Sequence, residues 1–469
     1  MKNSRKCRLR HIEWPEFGGR EAAPSPELMD MEKRIELTRS SIGKEEISHL
    51  IVYADRDHFA NLAFLTGFDP RYEEAVLILG QQRSPLILVG NECADYLNVS
   101  PLFRAGKMRS ERFQSLSLLD QPRDSSRFLR DIFLSEGIND TSRVGCVGWK
   151  YFAGEEHPAG RHAIEIPAYI VDTLREIVGY DRVVNATHIF MNPEDGLRTL
   201  CSPFDIAYFE YTGTLASEGM RRMLTGMKDG IVDYELAKLM QYNGVPFANH
   251  MTILTQDNID RSLTSPTGAL LKRGKPFLAN INYWGSNCCR AGWIAESGKD
   301  LPAPAADYVE KFAGIYFEVM SEWFSLLKIG VSAGKLYTLI QEHLPFETFR
   351  IFLNPAHLFH LDEWLSSPFY EGSNISIHSG MALQSDVIPN SDIYFSTRME
   401  DGYIVADESL RKNLKKMFPD TYTRCRKRRE FMIEVLGIEI SEEVLPLSNI
   451  AGIVPPYFLQ SNLVFSMEN

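Results

Sequence analysis

The sequence lacks long apolar runs, and it lacks the cysteine pattern of a disulfide framework. No stretch approaches the roughly 18 consecutive apolar residues that a membrane-spanning helix requires. The seven cysteines are an odd number and most are scattered, which is typical of a reducing cytoplasm and not of a disulfide framework. The basic start, MKNSRKCRLRHIEWPEF, has no apolar core of the kind that a signal peptide carries. We therefore expect a cytoplasmic protein with no membrane partner.

An excess of positive charge is also missing. The formal net charge is −12, from 50 Lys and Arg against 62 Asp and Glu, and a general nucleic-acid binder needs a basic face instead. We therefore expect no nucleic-acid partner. One basic cluster precedes the apolar run Phe431-Met432-Ile433, and we interpret it as the solvated face of a helix. Its members are Arg424, Arg426, Lys427, Arg428 and Arg429.

The composition is that of a globular protein with several elements of both kinds. Of 469 residues, 44% are hydrophobic and 24% are charged, enough for about two or three domains with full cores. Residues 1–30 are polar and contain Pro and Gly, so we predict a flexible lead-in. Residues 31–198 alternate apolar strands with helices, which predicts an α/β domain with a mixed sheet. Residues 199–469 pair helices and return to strands between them, which predicts an α+β domain.

Four segments carry a resemblance to a known family: DGIVDYELAKLM, HLFHLDEWLSSPF, SGMALQSDVIP and RMEDGYIVAD. In this order and at these intervals they resemble the pita-bread superfamily of aminopeptidase P, prolidase, methionine aminopeptidase and creatinase. The segment HFANLAFLTGFDPRYEEAVLIL is similar to the amino-terminal domain of the creatinase and aminopeptidase P branch. The resemblance implies a C-terminal pita-bread domain over 199–469, a smaller creatinase-N-like α/β domain over 31–198, and a homodimer.

Peptidases of this family hold two metal ions with two aspartates, one histidine and two glutamates. The resemblance assigns the histidine position to His357 and one glutamate position to Glu400, in the segment RMED. Asp386 stands at the other glutamate position, which keeps the charge on a shorter side chain. Two divalent ions about 3.5–4 Å apart repel each other, so anionic ligands must bridge them.

Neither aspartate position holds an acid. The resemblance places the second aspartate three residues before Arg290, at Asn287, and the first on the facing strand, at Asn280 or Asn282. Two opposite unit charges about 4 Å apart are worth roughly 4 kcal/mol at an effective dielectric near 20, so losing two anions forfeits several such contributions. We predict no dinuclear centre and no resident cofactor.

A single ion remains an alternative. Asparagine still offers a neutral carbonyl oxygen, so a weakly held Mn, Co or Zn ion on His357, Asp386 and Glu400 stays open. Two further histidines of the family are replaced: one falls at Ser262 or Leu263, and the other at Trp364. Creatinase, the metal-free member, works through the first of these histidines. The chain therefore departs from both catalytic patterns that the resemblance offers.

The remaining ionisable groups are the candidate catalytic residues: His357, His360, Asp386 and Glu400. Either histidine can act as a base, and the two acids can form a pair in which like charge raises one pKa. The alternatives are hydrogen-bonded histidines in a packed segment and a structural network of the acids with arginines. The candidate substrate-binding residues are Asn282, Asn287, Arg290, Trp364, Arg398 and Arg71.

Arg71 is a special case among these candidates. The resemblance implies that it reaches the cleft of a neighbouring subunit, because family dimers complete their sites in that way. A plain surface salt bridge is the alternative.

Three functions from different classes remain open at this point. The first is a hydrolase that cleaves a C–N bond in a small amide, amidine or dipeptide-like substrate without the dinuclear metal centre. The second is a non-catalytic protein that holds a small molecule or short peptide in the pita-bread cleft. The third is a metal-dependent Xaa-Pro aminopeptidase or dipeptidase. Fold alone does not separate them.

Overall fold

A computed structural model describes residues 6–124, 126–255 and 262–468 of the chain. These residues divide into two compact units, one of residues 25–198 and the other of residues 1–24 together with 199–469. Residues 1–5 of the predicted lead-in lie outside the described ranges.

Fifteen strands are assigned within the described ranges, most of them short. In chain order they are β1 (Cys7–His11), β2 (His49–Ala54), β3 (Ala75–Gly80), β4 (Leu86–Val89), β5 (Arg109–Arg112), β6 (Val144–Val147), β7 (Val183–Asn185), β8 (Thr252–Leu254), β9 (Lys275–Tyr283), β10 (Ser286–Ile294), β11 (His357–Leu358), β12 (Ala382–Gln384), β13 (Gly402–Val405), β14 (Val444–Pro446) and β15 (Leu463–Met467).

The helices of the same ranges vary from one turn to six turns. They are α1 (Leu28–Lys44), α2 (Ala60–Thr66), α3 (Cys93–Tyr96), α4 (Pro101–Arg104), α5 (Leu129–Ser135), α6 (Ala168–Val178), α7 (His188–Met191), α8 (Pro203–Thr225), α9 (Asp233–Lys238), α10 (Gly314–Leu326), α11 (Ala333–His343), α12 (Phe346–Phe349), α13 (Glu408–Met417) and α14 (Pro419–Glu434). Within the described ranges, no helix combines the length and the apolar character needed to cross a membrane.

The unit of residues 25–198 is built on one mixed six-stranded sheet, as the sequence predicts. The strand order is β5-β4-β3-β2-β6-β7. The central pairs β2–β3 and β3–β4 are antiparallel, and β4–β5, β2–β6 and β6–β7 are parallel. β4 and β6 are buried at every position, which explains why these strands are continuous apolar runs without alternation.

The second unit contains the pieces that position the candidate site. A three-stranded antiparallel sheet has the order β10-β9-β8, and a four-stranded one has the order β11-β12-β13-β14. Helix α8 packs against β9 and β10. It starts with Ser202 as N-cap, Pro203 in the first turn and Asp205 completing a capping box, so the sequence determines the point at which this helix begins.

The described part of the lead-in is not loosely attached. β1 pairs along its whole length with β15, antiparallel, from Cys7 opposite Met467 to His11 opposite Leu463. The partner strand lies more than 450 residues away in sequence, and no local pattern in residues 1–30 indicates it. Polar composition alone therefore gave the wrong expectation for this segment.

The prediction of a solvated basic cluster is wrong for two of its five members. Arg424 and Arg428 are buried on α14 and form ion pairs with the fully buried Glu210 of α8, at 2.5 and 2.7 Å. Arg428 also donates to Thr214 at 2.9 Å. Burying an arginine requires an anion and acceptors around it, and the sequence of α14 alone does not show that α8 supplies them.

The turn between β9 and β10 leads to our first prediction. Gly285 has a φ of +74°, and a Cβ there would lie 2.1 Å from the Phe209 ring. We expect Gly285→Ala to lower the free energy of unfolding by about 2–5 kcal/mol, because overpacking of about 1–3 kcal/mol adds to left-handed strain of about 1–2 kcal/mol. Urea denaturation followed by circular dichroism measures this change in the free energy of unfolding.

Gly230 is the matched control for this substitution. Its φ is +81°, and among the described residues no atom lies within 4 Å of a Cβ built there. Gly230→Ala therefore carries the strain without the clash and should lose about 1–2 kcal/mol. Equal losses for the two variants would contradict the proposed contact with Phe209.

Candidate functional site

The β9–β10 hairpin brings two asparagines face to face. Asn282 is directly opposite Asn287 in the register, whereas Asn280 is opposite Cys289. Opposed residues of an antiparallel pair point to the same face. Asn282 and Asn287 are 1% and 4% exposed. Of the two candidates that the sequence left open for the first aspartate position, Asn282 is therefore the one that faces Asn287.

Three ionisable residues lie close together on or next to neighbouring strands of the four-stranded sheet. His357 begins β11, Asp386 follows β12 by two residues, and Glu400 precedes β13 by two residues. Each is buried, and one ligand atom of each lies within 4.8 Å of the others. These three residues, which the sequence predicted for a single-ion site, are brought together by the pairing of β11, β12 and β13.

The Asn287 amide connects the hairpin to these acids. Its Nδ2 donates to Glu400 Oε1 and, at 3.3 Å, to Glu363 Oε1. The backbone reinforces the link, because the Cys289 N–H donates to the Glu400 carbonyl at 3.1 Å. Asn287 thus bridges two glutamates, one of which the sequence analysis did not select.

Glu363 is the site residue that sequence reasoning missed. Its Oε1 lies 3.1 Å from His357 Nε2, closer than Asp386 Oδ2 at 3.9 Å. Its side chain is about one quarter exposed, so it has access to solvent where the other acids do not. Glu363 lies in the segment HLFHLDEWL, next to Trp364. The resemblance assigns no role to its position, so the sequence gave no reason to select it.

Trp364 lies against the histidine. Its ring stacks on that of His357 at 4.2 Å between centroids and 22° between planes. The sequence predicted a substrate-binding role at this position, and the structure places the indole in contact with the imidazole. An aromatic face beside an imidazole favours the protonated ring, and it shields one side of it from water.

The pKa values of the two glutamates that Asn287 joins are shifted in opposite directions. Burial raises the pKa of Glu400 well above its usual range, and the charges of Asp386 and Glu363 raise it further. Burial also tends to raise the pKa of Glu363, but the charge of the nearby His357 and the hydrogen bond from Asn287 outweigh it and lower this pKa. These shifts favour the protonated form of Glu400 and the ionised form of Glu363.

The pKa values of His357 and Asp386 are shifted by burial and by the neighbouring charges as well. Burial tends to lower the pKa of His357, but the charges of Glu363 and Asp386 outweigh it and raise this pKa. Burial raises the pKa of Asp386, and the charge of Glu363 adds to the rise against the opposing effect of His357. These shifts favour the protonated forms of His357 and Glu400, which reduce the negative charge of the site.

His360 is apart from this group. Its Nε2 lies 3.6 Å from Asp205 Oδ1, at the start of α8, and its ring meets Phe209 edge-on at 5.0 Å. These contacts fit the alternative of a histidine within a packed segment. The structure thus brings His357 to the acids and places His360 beside the helix start.

The two arginines predicted to bind substrate have different surroundings. Arg290 is fully buried, pairs with Asp401 at 2.7 Å and donates to the carbonyls of Ile450 and Ile453 at 2.8 Å. It therefore acts within the protein framework, which corrects the prediction that it contacts substrate. Arg398 donates from Nη1 to Cys289 Sγ at 3.6 Å, and its charge faces Asp386 and Glu400.

Arg71 lies in the other compact unit. It forms an ion pair with Asp69 at 3.3 Å, hydrogen bonds to Tyr96 and covers the Tyr96 ring at 4.7 Å. These contacts fit the surface salt bridge that the sequence left as an alternative. A role in the cleft of a neighbouring subunit stays a prediction.

The donor set does not fit a pair of metal ions. Asn282 and Asn287 bring no charge, and Asn287 turns an N–H donor onto an oxygen of Glu400. A bridged pair of dications needs several anions on both sides, and here the hairpin side supplies none. His357, Asp386 and Glu400 suit at most one divalent ion, with an asparagine oxygen as a neutral ligand.

Comparison with known proteins identifies the fold. The sequence matches no family model and no curated protein. Among solved structures, the dipeptidase PepE from Mycobacterium ulcerans superposes with a TM-score of 0.61 at 12% identity, over 82% of this chain and 95% of the other. The prolidase from Pyrococcus horikoshii OT3 gives 0.59 at 13% identity, over 80% and 95%.

A third solved structure, the X-Pro aminopeptidase from Thermotoga maritima MSB8, gives a TM-score of 0.58 at 11% identity, over 80% of this chain and 95% of the other. The chain has the pita-bread fold. This confirms the fold class that the sequence predicted. At such identities the likeness shows the pita-bread fold alone, so the chemistry of the cleft has to be inferred from its residues.

Proposed function

We propose that this chain is a hydrolase that cleaves a C–N bond in a small amide, amidine or dipeptide-like substrate, and that it does so without a pair of metal ions. The observation that carries the proposal is the Asn287 amide, which donates to both Glu363 and Glu400. Pita-bread structures named dipeptidase and prolidase support a C–N bond as the target.

The two glutamates supply the acid and the base that such a reaction needs. Titratable groups whose surroundings push their pKa values apart are suited to opposite roles. The partly exposed Glu363 carboxylate accepts a proton from water, and the resulting hydroxide adds to the carbonyl or amidine carbon. As the C–N bond breaks, Glu400 donates its proton to the leaving nitrogen, so that one water is consumed in each turnover.

His357 completes the proposed mechanism. Its imidazolium, held by Glu363 at 3.1 Å and stacked on Trp364, offers positive charge to the oxyanion of the tetrahedral intermediate. Glu363 then releases the proton that it gained to water, and Glu400 takes up a proton from water, which restores the starting state. His357 therefore acts as an electrostatic stabiliser, and not as the base that the sequence suggested.

The test is a hydrolysis screen on protein treated with a chelator. Small primary and secondary amides, amidines and dipeptides are incubated with the treated protein, and released amine is quantified. We expect turnover of at least one class to persist without added metal. Turnover that appears only after Mn, Co or Zn is restored would overturn the proposal.

The pH dependence of the reaction provides a second prediction. Glu363 must be ionised, and its pKa is lowered, so kcat/KM should fall only below the usual glutamate range. Glu400 must be protonated, and its pKa is raised, so activity should persist above that range and fall as this proton is lost. A rate that fell to its acid limit within the ordinary glutamate range would contradict the assignment.

A metal-dependent Xaa-Pro aminopeptidase or dipeptidase is the second candidate. The observation that favours it is the approach of His357, Asp386 and Glu400 to within 4.8 Å of one another. Elemental analysis after reconstitution with Mn, Co, Fe and Zn tests it. One equivalent of bound ion that restored activity would favour this candidate over ours.

A non-catalytic binding protein is the third candidate, favoured by Trp364 at a position where the resemblance implies a histidine. A measurable reaction that depends on Glu400 excludes it. The homodimer expected from the resemblance is part of our proposal. Analytical ultracentrifugation of the purified protein tests this expectation.

A further inference from the structure

A buried glutamine beside the site has no partner for either end of its amide. Gln384 is fully buried, and neither Oε1 nor Nε2 has a hydrogen-bond partner in residues 6–124, 126–255 or 262–468. It is directly opposite His357 in the pairing of β11 with β12. Opposed residues share one face of a sheet, so the Gln384 side chain is on the face that carries His357.

Two further unpaired atoms belong to the facing asparagines. Asn282 Oδ1 and Asn287 Oδ1 are buried, and no partner for either occurs in the part of the chain that the structure describes. The orientation of the Asn287 amide is determined by its bonds to two carboxyl groups, which leaves its oxygen as the unpaired end. Gln384, Asn282 and Asn287 thus leave three amide oxygens and one amide NH₂ group unpaired within the described residues.

Unpaired buried amides are uncommon because each one forfeits a hydrogen bond that it makes in water. A ligand that satisfies this set must carry more N–H groups than carbonyl groups. A primary carboxamide has this composition: two N–H bonds and one C=O, with one N–H on the same side as the oxygen. On that edge the ligand N–H can donate to Gln384 Oε1, and the ligand oxygen can accept from Gln384 Nε2. The second N–H is available to an asparagine oxygen.

We propose that Gln384 is a specificity-determining residue that selects a primary carboxamide, –CO–NH₂, as the group to be cleaved, so that ammonia leaves. This inference rests on the proposed function and names its substrate class. A tertiary Xaa-Pro amide has no N–H and leaves the Gln384 and asparagine oxygens unpaired. The site therefore disfavours the bond that the names of several pita-bread neighbours specify.

The test compares three amides of one acid: alaninamide, its N-methylamide and its N,N-dimethylamide. Binding is measured by calorimetry on the Glu400→Gln variant, which keeps Gln384, Asn282 and Asn287, and ammonia or amine release is measured on the wild-type protein. We expect affinity to fall by about tenfold or more for each N–H replaced by methyl, since an unpaired buried group is costly.

Gln384→Met supplies the residue-level test. Methionine keeps the volume and removes both amide atoms, so the preference for the primary amide should be lost while the variant folds at least as stably. Gln114→Met is the matched control, because Gln114 is also buried with an unpaired Oε1 within the described ranges but lies in the other compact unit. It should leave the preference unchanged.

The outcomes separate the two proposals. Binding of alaninamide that depends on Gln384, without ammonia release by the wild-type protein, supports Gln384 as the residue that selects a primary carboxamide and overturns the cleavage of that group, and with it the proposed function. Equal or absent binding of the three amides overturns the inference, and so does a preference for the dimethylamide. A preference that survives Gln384→Met overturns it as well, because another group then selects the primary amide.

Discussion

Glu400→Gln is expected to lower kcat by about 10²–10⁴-fold, the range that a positioned general acid contributes. The substitution is nearly isosteric. The glutamine oxygen can accept from Asn287 as Glu400 Oε1 does, and its amide N–H can donate toward Asp386. What the variant loses is the proton that Glu400 delivers to the leaving nitrogen. Steady-state kinetics on the best substrate of the screen measures the loss.

Two controls accompany this variant. Glu408→Gln removes an exposed glutamate that pairs with Lys412 on α13 and should leave kcat unchanged. The pH dependence of stability gives a readout independent of substrate. Because the pKa of Glu400 is raised in the folded protein, the folded state binds its proton more tightly than the unfolded chain, and stability falls as pH rises above the usual glutamate range.

The glutamine variant has no such proton and should lose this part of the pH dependence. Thermal melts of both proteins across the pH range reveal the difference. Identical pH dependence of melting in the two proteins would contradict the raised pKa, and unchanged kcat would remove Glu400 from the mechanism.

Glu210→Gln is expected to lower the free energy of unfolding by about 3–5 kcal/mol, the usual cost of removing one member of a buried ion pair. Glu210 is fully buried and bonds to Arg424 at 2.5 and 2.8 Å and to Arg428 at 2.7 Å. Glutamine keeps the shape but leaves both guanidinium groups without a counter-charge. Chemical denaturation measures the change.

The acid limb of stability provides a second check on Glu210. Burial alone would raise its pKa, but the charges and hydrogen bonds of Arg428 and Arg424 outweigh it and lower this pKa. The stability that this carboxylate contributes is present above the usual glutamate range and is lost as pH falls through the folded-state value. Glu210→Gln should therefore flatten the acid limb.

Glu235→Gln is the matched control for charge removal. Glu235 pairs with Lys238 at 2.6 Å, but both side chains are more than half exposed, and exposed pairs contribute about 0–1 kcal/mol. A loss for Glu210→Gln no larger than that of Glu235→Gln would show that the arginines find other partners or water.

Some of the site followed from the order of motifs along the chain. The segments around His357, Asp386 and Glu400 resemble family motifs, which led to the prediction that these residues share a site, and the strand pairing brings the three together. The alternation of buried strands and helices in residues 31–198 was sufficient to predict a mixed sheet. Both signals are local, since side-chain periodicity and short motifs are properties of consecutive residues.

Other features depend on contacts between residues that are far apart in sequence, and no local pattern indicates these contacts. Glu363 belongs to the site because the chain turns back after β11 and places the Glu363 carboxyl group beside His357. The sequence indicated a solvated Arg428, but in the structure Arg428 donates to Glu210 of α8, 218 residues away. Asn282 and Asn280 were indistinguishable until the hairpin register placed Asn282 opposite Asn287.

The sequence by itself determined the fold class and the presence of two neutral asparagines on the hairpin, because both follow from which residue types stand at which positions. Only the tertiary structure decided that the Asn287 amide joins two glutamates and that Gln384 stands unpaired beside them. Register and hydrogen bonding across distant strands create these contacts, and a register is set by the packing of the whole domain.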